Sequence, residues 1–340
     1  MKKLFNRSLM FQNIHSIKVQ TIALGILFGI VAYFSINSNI QDSIYSVVNL
    51  NEYIEYSTSS GFCMFLMISF ITLIFIFMKG INKRESMSFF MSGPFTKREI
   101  KKNEVLTLIL LVLFFVAIYI YVIVCLSYKY KIQVEYIPDY CKYSFVGILR
   151  LLIAGILFSL YLAFMDLLFS NTIVSILAMV ILPITMIEVV LVLLEVLLSD
   201  KIIRYVVNTG YKYAKCMFIY FIGDNNELVN NSYFSYSKIL ILGTAISILA
   251  IIILSVLIYM ISDKIKVNNI NNIFNFRIVE LVSVQLILFS MIIQILAVII
   301  QIKEYSISSR IVKLVFVIIS FGISNVLRKS IVKKIDSYVN

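Results

Sequence analysis

Residues 79–104 read KGINKRESMSFFMSGPFTKREIKKNE and carry seven Lys or Arg and three Glu between two long apolar runs. Charged side chains are costly inside hydrocarbon, so the stretch ends one apolar run and precedes the next. Each run is long enough to cross a bilayer as a helix. The stretch therefore predicts a hairpin of two membrane spans joined by a basic loop.

The loop itself predicts two helical pieces separated by Ser92-Gly93-Pro94. Proline lacks a backbone donor and disfavours helix in the residue before it. After the break, Thr96 with Glu99 three residues later has the spacing of a capping box, so a new helix is expected there. Before the break, the segment Glu85–Met91 has a helical face of sulfur and ring side chains, formed by Met87, Phe90 and Met91 at i, i+3, i+4 spacing and extended by Phe89.

An apolar face of this kind fits a groove on a partner protein, because Met packs adaptably and a helix presents the side chains as one row. The other interpretation is a basic, membrane-tethered hairpin whose charges only set topology. Membrane topology requires the charges of the loop but not its Met and Phe side chains. The presence of those side chains therefore favours the interpretation that the loop binds a partner protein.

The composition indicates an all-α polytopic membrane protein. Hydrophobic residues make up 61% of the 340 residues and charged residues 14%, and the mean hydropathy is +0.96. Soluble domains are closer to half apolar and a quarter charged. Eight spans are predicted, at Val19–Ile36, Gly61–Met78, Val105–Leu126, Val146–Leu168, Val174–Leu198, Ile239–Ile261, Ile278–Ile302 and Ile311–Leu327.

The distribution of Lys and Arg predicts that both termini of a multi-pass cell-membrane protein are cytosolic. In this orientation the inner segments hold 18 Lys or Arg and the outer segments hold 10. The net charge of +12 is then explained by topology and by contact with anionic lipid headgroups. The basic residues are spread over loops at the membrane face, so no nucleic-acid partner is expected.

Two further segments are expected near the membrane surface. Leu4–Lys18 predicts an amphipathic interfacial helix before the first span. Lys201–Ile222, in the longest outer segment, is rich in Tyr and Phe and predicts two short helices that dip into the outer leaflet, or a surface helix. The four cysteines have no metal-ligand spacing, and free thiols are favoured over a disulfide.

Several ionisable residues fall inside predicted spans. Arg150 and Glu195 lie about 6 and 5 Å inside the outer ends of neighbouring antiparallel spans. Two outcomes are expected: the two side chains form an ion pair, or the long Arg150 side chain extends its charged end to the membrane interface. Asp166 and Glu280 are near inner ends, where water or a helix cap is expected to satisfy them.

Glu188 lies about 15 Å below the outer end of its span, close to the bilayer centre. Thr185, Glu188 and Glu195 share one helical face near Pro183. Such a face lines either a water-filled path, with Arg150 as a further candidate, or a helix interface in which a protonated Glu188 bonds to a neighbouring span. Gln285 and Gln294 are expected to join helices.

No catalytic or nucleotide-binding motif is visible, and no cofactor or metal is expected. A G-x-x-x-x-G-K-[ST] phosphate loop is absent, as are His-Glu-x-x-His and G-x-S-x-G. A membrane enzyme would need a cluster of catalytic groups on the outer face, and the outer acidic residues are scattered. Any energy from ATP must therefore come from another chain.

The order of these parts resembles the ABC-2 type permeases, the membrane subunits of ABC exporters. In that family an arginine-led amphipathic coupling helix runs into a Ser-Leu-Pro-x-Ser/Thr-Arg/Lys turn and a new span. The residues here that match are Arg84, Phe89, Ser92, Pro94, Thr96, Lys97 and Arg98. Gly93 replaces the commoner Leu.

The resemblance implies a six-helix core at residues 1–261, with Leu4–Lys18 as the connecting helix, Phe169–Ile173 as the short inner turn and Lys201–Ile222 as the outer re-entrant helices. Residues 262–340 would add a helix pair and a basic cytosolic tail, similar to the enlarged permeases of peptide-antibiotic efflux or resistance operons. The residues implied to contact the ATPase are Arg84, Glu85, Met87, Phe89, Phe90, Met91 and Arg98.

The implied function is that of an exporter permease, not itself an enzyme. Its partners would be a cytosolic ABC ATPase, a like or unlike second permease subunit, and membrane lipid. Two alternatives stay open. One is an ion-coupled secondary transporter that uses Glu188. The other is an FtsX-like ABC permease, although the outer segment 199–238 is short for the large outer domain of that class.

Overall fold

The computed structural model describes residues 7–49, 60–79, 95–137, 139–169, 171–197, 208–209, 220, 236–262, 275–302 and 310–339. Nine helices and no strand are found in this part of the chain. The helices are α1 (Arg7–Asn49), α2 (Ser60–Lys79), α3 (Lys97–Lys129), α4 (Lys131–Val134), α5 (Tyr140–Leu168), α6 (Thr172–Leu197), α7 (Tyr236–Ser262), α8 (Arg277–Ile302) and α9 (Arg310–Val339).

The protein is an all-helical, multi-pass membrane protein. Among the described residues, seven helices are long and apolar enough to cross a membrane, namely α1, α2, α3, α5, α6, α7 and α8. They correspond to the first seven predicted spans. The eighth predicted span, Ile311–Leu327, lies in the 30-residue helix α9, and its passage through the membrane stays a prediction.

From Arg7, the interfacial helix predicted at Leu4–Lys18 is continuous with the helix that contains the first predicted span, and its position at the membrane surface stays a prediction. From Arg7 onward the chain forms one 43-residue helix that continues through Lys18 to Asn49. No Gly or Pro occurs before Gly25, so nothing in the sequence stops the helix at Lys18. At 1.5 Å per residue α1 is about 65 Å long, roughly twice the thickness of the hydrocarbon core.

The extension of α1 beyond its predicted span is tied to α3 by polar side chains. The Tyr130 hydroxyl, at the end of α3, donates to Asn37 Oδ1 at 2.8 Å. Gln41 Nε2 in turn donates to the Tyr130 hydroxyl at 3.2 Å. These contacts lie just past the apolar runs, where side chains of α1 and α3 can meet water as well as each other.

The chain divides into two compact units. The first comprises residues 1–81, 86–164 and 211–263, and the second comprises residues 82–85, 165–210 and 264–340. The second unit thus contains α6 as well as α8 and α9, whereas the resemblance assigns the α6 span to the core at residues 1–261. The predicted boundary at residue 261 stays a prediction.

In the first unit α1 packs closely against α2 and α3. Phe28 is fully buried, and its ring meets the edge of the Phe115 ring with centroids 5.2 Å apart. Gly25 makes this approach possible, since a Cβ there would lie 2.6 Å from Cε1 of Phe114. Small residues serve this role in membrane helix packing because they let two backbones come close.

In the second unit α8 packs against both α6 and α9. The rings of Phe289 on α8 and Phe321 on α9 meet edge to face, with centroids 6.1 Å apart. Asn275, just before α8, caps the C-terminal end of α5 by donating hydrogen bonds to its last carbonyl oxygens. Its backbone N–H donates to Leu168 O at 3.0 Å and its amide donates to Leu167 O at 2.7 Å.

Candidate functional site

The predicted coupling segment lies outside the described residues. This applies to Arg84, Glu85, Met87, Phe89, Phe90 and Met91. The structure does describe both flanks of the loop, because α2 ends at Lys79 and α3 begins at Lys97.

The capping box predicted at the start of α3 is confirmed. The Thr96 hydroxyl accepts a hydrogen bond from the Glu99 backbone N–H at 3.3 Å, and Glu99 Oε2 accepts one from the Thr96 N–H at 3.0 Å. These two reciprocal bonds satisfy backbone donors that the first turn of a helix leaves free. The exit of the loop is therefore fixed at a defined residue.

A buried ion cluster joins the two ends of the loop, and the sequence analysis missed it. Glu104 on α3 forms an ion pair with Lys79, the last residue of α2, and a second one with Lys101 at 2.9 Å. The side chains of Lys79 and Glu104 are 9% exposed and that of Lys101 is 7% exposed. Charges taken out of water in this way need their partners, because removing one leaves the other uncompensated.

The sequence contains one sign of this cluster, since Lys101 and Glu104 have the three-residue spacing of a helical ion pair. That spacing is common on exposed helix faces. The burial and the inclusion of Lys79, 25 residues before Glu104, follow only from the packing of α2 on α3.

Arg98, the described member of the predicted coupling set, contacts α7. Its guanidinium carbon lies 4.4 Å from the centroid of the Tyr259 ring, and Nη1 donates to the Tyr259 hydroxyl at 3.4 Å. A guanidinium over an aromatic face is held by the ring quadrupole. Arg98 therefore connects the first turn of α3 to the last turns of α7.

Arg150 lies beside a tyrosine from the segment that is predicted to be outer. Arg150 is 3% exposed, and its guanidinium carbon lies 5.8 Å from the centroid of the fully buried Tyr220 ring. The ring packs against Gly243 on α7 so closely that a Cβ on Gly243 would lie 2.5 Å from Cδ2 of Tyr220. Burial raises the pKa of Tyr220, and the positive charge of Arg150 partly opposes this effect.

This contact gives Arg150 a described neighbour that the sequence analysis did not foresee. The predicted pairing of Arg150 with Glu195 concerns a carboxylate whose side chain lies outside the described residues. Except for residues 208, 209 and 220, the predicted helices at Lys201–Ile222 also lie outside them. The Tyr220 contact shows that one aromatic side chain of this segment reaches the helices of the first unit.

Glu188 is hydrogen-bonded to α8, as one of the two interpretations of its helical face predicted. One carboxylate oxygen accepts from the Ser290 hydroxyl, and the other accepts from Gln294 Nε2 at 2.6 Å. Thr185, one turn earlier on α6, is buried and donates to Leu182 O at 3.0 Å. The carboxylate is thus held by two neutral side chains of one neighbouring helix.

The two glutamines join helices, as predicted. Gln294 connects α8 to α6 through Glu188, and Gln285 Nε2 donates to Ser324 Oγ on α9 at 2.6 Å. Asp166 is 1% exposed, which disfavours the predicted contact with water, and the alternative of a helix cap stays a prediction. Glu280 lies in the first turn of α8, where a carboxylate complements the helix dipole.

No protein-family model, curated protein or solved structure matches this chain.

The predicted path residues fall into separate units. Arg150 belongs to the first unit, and Thr185 and Glu188 belong to the second. Cys63, Cys125 and Cys141 are free thiols, and Cys216 lies outside the described residues. The described geometry thus gives two candidate sites, the base of the 79–104 loop and the carboxylate held between α6 and α8.

Proposed function

We propose that this chain is the permease subunit of an ATP-driven ABC transporter of the ABC-2 type, working as an exporter in the cell membrane. A separate cytosolic ATPase supplies the energy, and a second permease subunit, like or unlike, completes the pathway. The observation that carries the proposal is the ion cluster of Lys79, Lys101 and Glu104, which fastens both ends of a loop bearing an amphipathic Met and Phe segment.

The cluster supports a mechanical role for the loop. A loop that only set topology would need exposed positive charge, and exposed charges cost nothing to leave unpaired. Here the end of α2 and the start of α3 are held by charges that are about nine-tenths buried. A push on the segment between them therefore moves α2 and α3 together.

The contacts of α3 give that movement a route into the rest of the first unit. Arg98 carries it to α7 through Tyr259. The close packing at Gly25 carries it to α1. The capping box at Thr96 keeps the first turn of α3 from fraying under load. In the proposed cycle, closure of the ATPases drives these helices between inward-facing and outward-facing arrangements.

The test is co-purification of the chain with its ATPase after substitutions on the two sides of Glu85–Met91. Changing Met87, Phe90 and Met91 to Asp is expected to abolish assembly, because the apolar face then carries three charges. The matched control places Asp at Ser86 and Ser88, on the polar side of the same segment, and is expected to leave assembly intact. Assembly that survives the first set of changes contradicts the proposal.

The ion-coupled alternative is favoured by one observation, the carboxylate of Glu188 at mid-span. The two functions separate in a transport assay with ATP depleted. The ABC proposal expects transport to stop. Transport that continues without ATP and fails in Glu188→Gln would instead establish the secondary transporter.

A further inference from the structure

The second unit contains a polar seam inside apolar helices. On α8, Ser283, Ser290 and Gln294 follow one another at intervals of seven and four residues, so they share one face. Ser283 and Ser290 are buried. The seam meets Glu188 of α6 at Ser290 and Gln294. One carboxyl group therefore lies among hydroxyl and amide partners near the middle of a predicted span.

We propose that Glu188 is a proton-binding site in the membrane, loaded from water, whose two partners on α8 satisfy it with and without the proton. The inference does not depend on an ATPase, because it concerns one carboxyl group and its neighbours. It holds for an ATP-driven permease and for an ion-coupled transporter alike.

The partner chemistry supports two protonation states in one geometry. With Glu188 ionised, Ser290 and Gln294 each donate to one oxygen, as the structure shows. With Glu188 protonated, its O–H donates to the Ser290 oxygen, since a hydroxyl both donates and accepts. The Gln294 amide still donates to the remaining carboxyl oxygen. On uptake, one O–H bond of hydronium breaks and one forms at Oε2, while the Ser290 hydroxyl turns so that its hydrogen bond with Oε2 reverses direction. Release of the proton to water reverses both changes, and the bond from Gln294 is kept throughout.

The charges on the surrounding helices bear on the same equilibrium. The nearest ones along the three helices are Glu195 on α6, Glu280 on α8, and Lys313 and Arg328 on α9. Glu280 is ten residues from Ser290, about 15 Å along the axis. The side chains of Glu195 and Lys313 lie outside the described residues.

The bond from Gln285 to Ser324 aligns α8 with α9. It places Arg328 about 6 Å from Ser324 along α9, on the side away from the level of Ser290. The two described side chains that bond to Glu188, Ser290 and Gln294, are both neutral. An ionised carboxylate is costly inside a membrane, and proton uptake removes that cost.

The proposal requires that water reach the site, and the carboxyl–amide pair is not closed off by protein. Glu188 is half-buried, and Gln294 is exposed. Hydrocarbon cannot satisfy the free lone pairs and N–H groups of a carboxyl–amide pair. In the proposal, water on this face satisfies them and delivers the proton.

The first experiment is infrared difference spectroscopy of the full chain in lipid nanodiscs during a pH titration. Wild type is expected to show the carbonyl band of a protonated carboxyl group, and Glu188→Gln is expected to lose it. The matched control, Glu280→Gln, should keep it. Ser290→Ala should shift its frequency, because the carboxyl loses a bonding partner, whereas Ser283→Ala should not.

A wild-type spectrum without a Glu188-dependent band, from mildly acidic to mildly alkaline pH, would overturn the proposal. If the band is absent in wild type but appears in Lys313→Gln, Glu188 is a fixed ion-pair partner and the proposal also fails. Co-purification of Glu188→Gln with the ATPase tests the proposed assembly separately, and we expect assembly to be unchanged.

The second experiment measures water access by labelling single cysteines with a maleimide in a background without the four native cysteines. Maleimides react with hydrated thiolates. Glu188→Cys is expected to react at least tenfold faster than Ile187→Cys, the exposed apolar neighbour on α6. Equal, slow labelling of both positions would show that no water reaches Glu188 and would overturn the proposal.

Discussion

The two candidate sites handle a buried carboxylate in opposite ways. At the base of the 79–104 loop, Glu104 is neutralised by two lysines that are as buried as it is. Between α6 and α8, Glu188 is held by a hydroxyl and an amide and contacts no described cation. The first site lies at the ends of two apolar runs, where lysine aliphatic chains can pack in the protein. The second lies near mid-span, where a lysine would itself need a partner.

Because one carboxylate has charged partners and the other has neutral partners, the two sites should respond differently when the carboxylate loses its charge. A charge pair fixes its members, because neither charge can be lost without stranding the other. A carboxyl group with neutral partners can lose its charge and keep its bonds. We therefore regard the loop base as a rigid mechanical element and the Glu188 site as a reversible one.

The largest expected effect is at the loop base. Glu104→Gln keeps the shape of the side chain but removes the buried negative charge that pairs with Lys79 and Lys101. We expect a loss of about 3–5 kcal/mol in the free energy of unfolding, measured by titration with a denaturing detergent. Replacing all three residues by Met or Leu should recover most of this loss. A Glu104→Gln protein as stable as wild type would show that the cluster is not buried.

The next effect concerns the close approach of Tyr220 to α7. Gly243→Ala adds a Cβ where the tyrosine ring lies and should cost about 1–3 kcal/mol of unfolding free energy. Gly322→Ala on α9 is the matched control, since a Cβ there meets nothing within 4 Å. The double variant Gly243→Ala with Tyr220→Ala should be less destabilised than the sum of the two single changes. Additive costs would contradict the contact.

A smaller effect is expected at the helix start after the loop. Thr96→Ala removes the hydroxyl that caps α3 and should cost about 1 kcal/mol of unfolding free energy. Thr96→Ser keeps the hydroxyl and should cost much less. Comparison with Glu104→Gln shows whether the capping box or the ion cluster contributes more to the free energy of unfolding. A larger loss in Thr96→Ala than in Glu104→Gln would contradict the proposal that the ion cluster holds the base of the loop.

The smallest effect should be at Glu188. Glu188→Gln keeps an acceptor for Gln294 and a side-chain group for Ser290, so the free energy of unfolding should change by less than about 1 kcal/mol. Glu188→Ala leaves both partners without it and should cost about 1–3 kcal/mol. If Glu188→Gln were as damaging as Glu104→Gln, the carboxylate would be part of an ion pair and the contrast between the two sites would fail.

Much of the fold could be predicted because hydrocarbon imposes simple rules on sequence. Runs of about 20 apolar residues, such as the one within α2, predict spans directly. The capping box at Thr96 was predictable because both partners lie within one helical turn. The sequence does not indicate the continuity of α1 through Lys18, because an amphipathic pattern followed by an apolar one is equally typical of two helices, although no residue there stops a helix.

The candidate sites were less predictable because their partners are distant in sequence. Glu188 was recognised as costly at mid-span, but Ser290, 102 residues away, could be assigned to it only from the packing of α6 on α8. Tyr220 was one of many aromatic residues in the outer segment. Its contact with Gly243 on α7 could be assigned only from the structure.

The sequence by itself determined that this chain is a helical multi-pass membrane protein, where most of its spans lie, and that a basic loop follows the second of them. These features depend on the local match between side chains and a low-dielectric bilayer. Tertiary structure alone decided which charges are buried together, which glycine admits a ring, and which hydroxyl meets the mid-span carboxylate. Those contacts join residues far apart in the chain, and only helix packing fixes their distances.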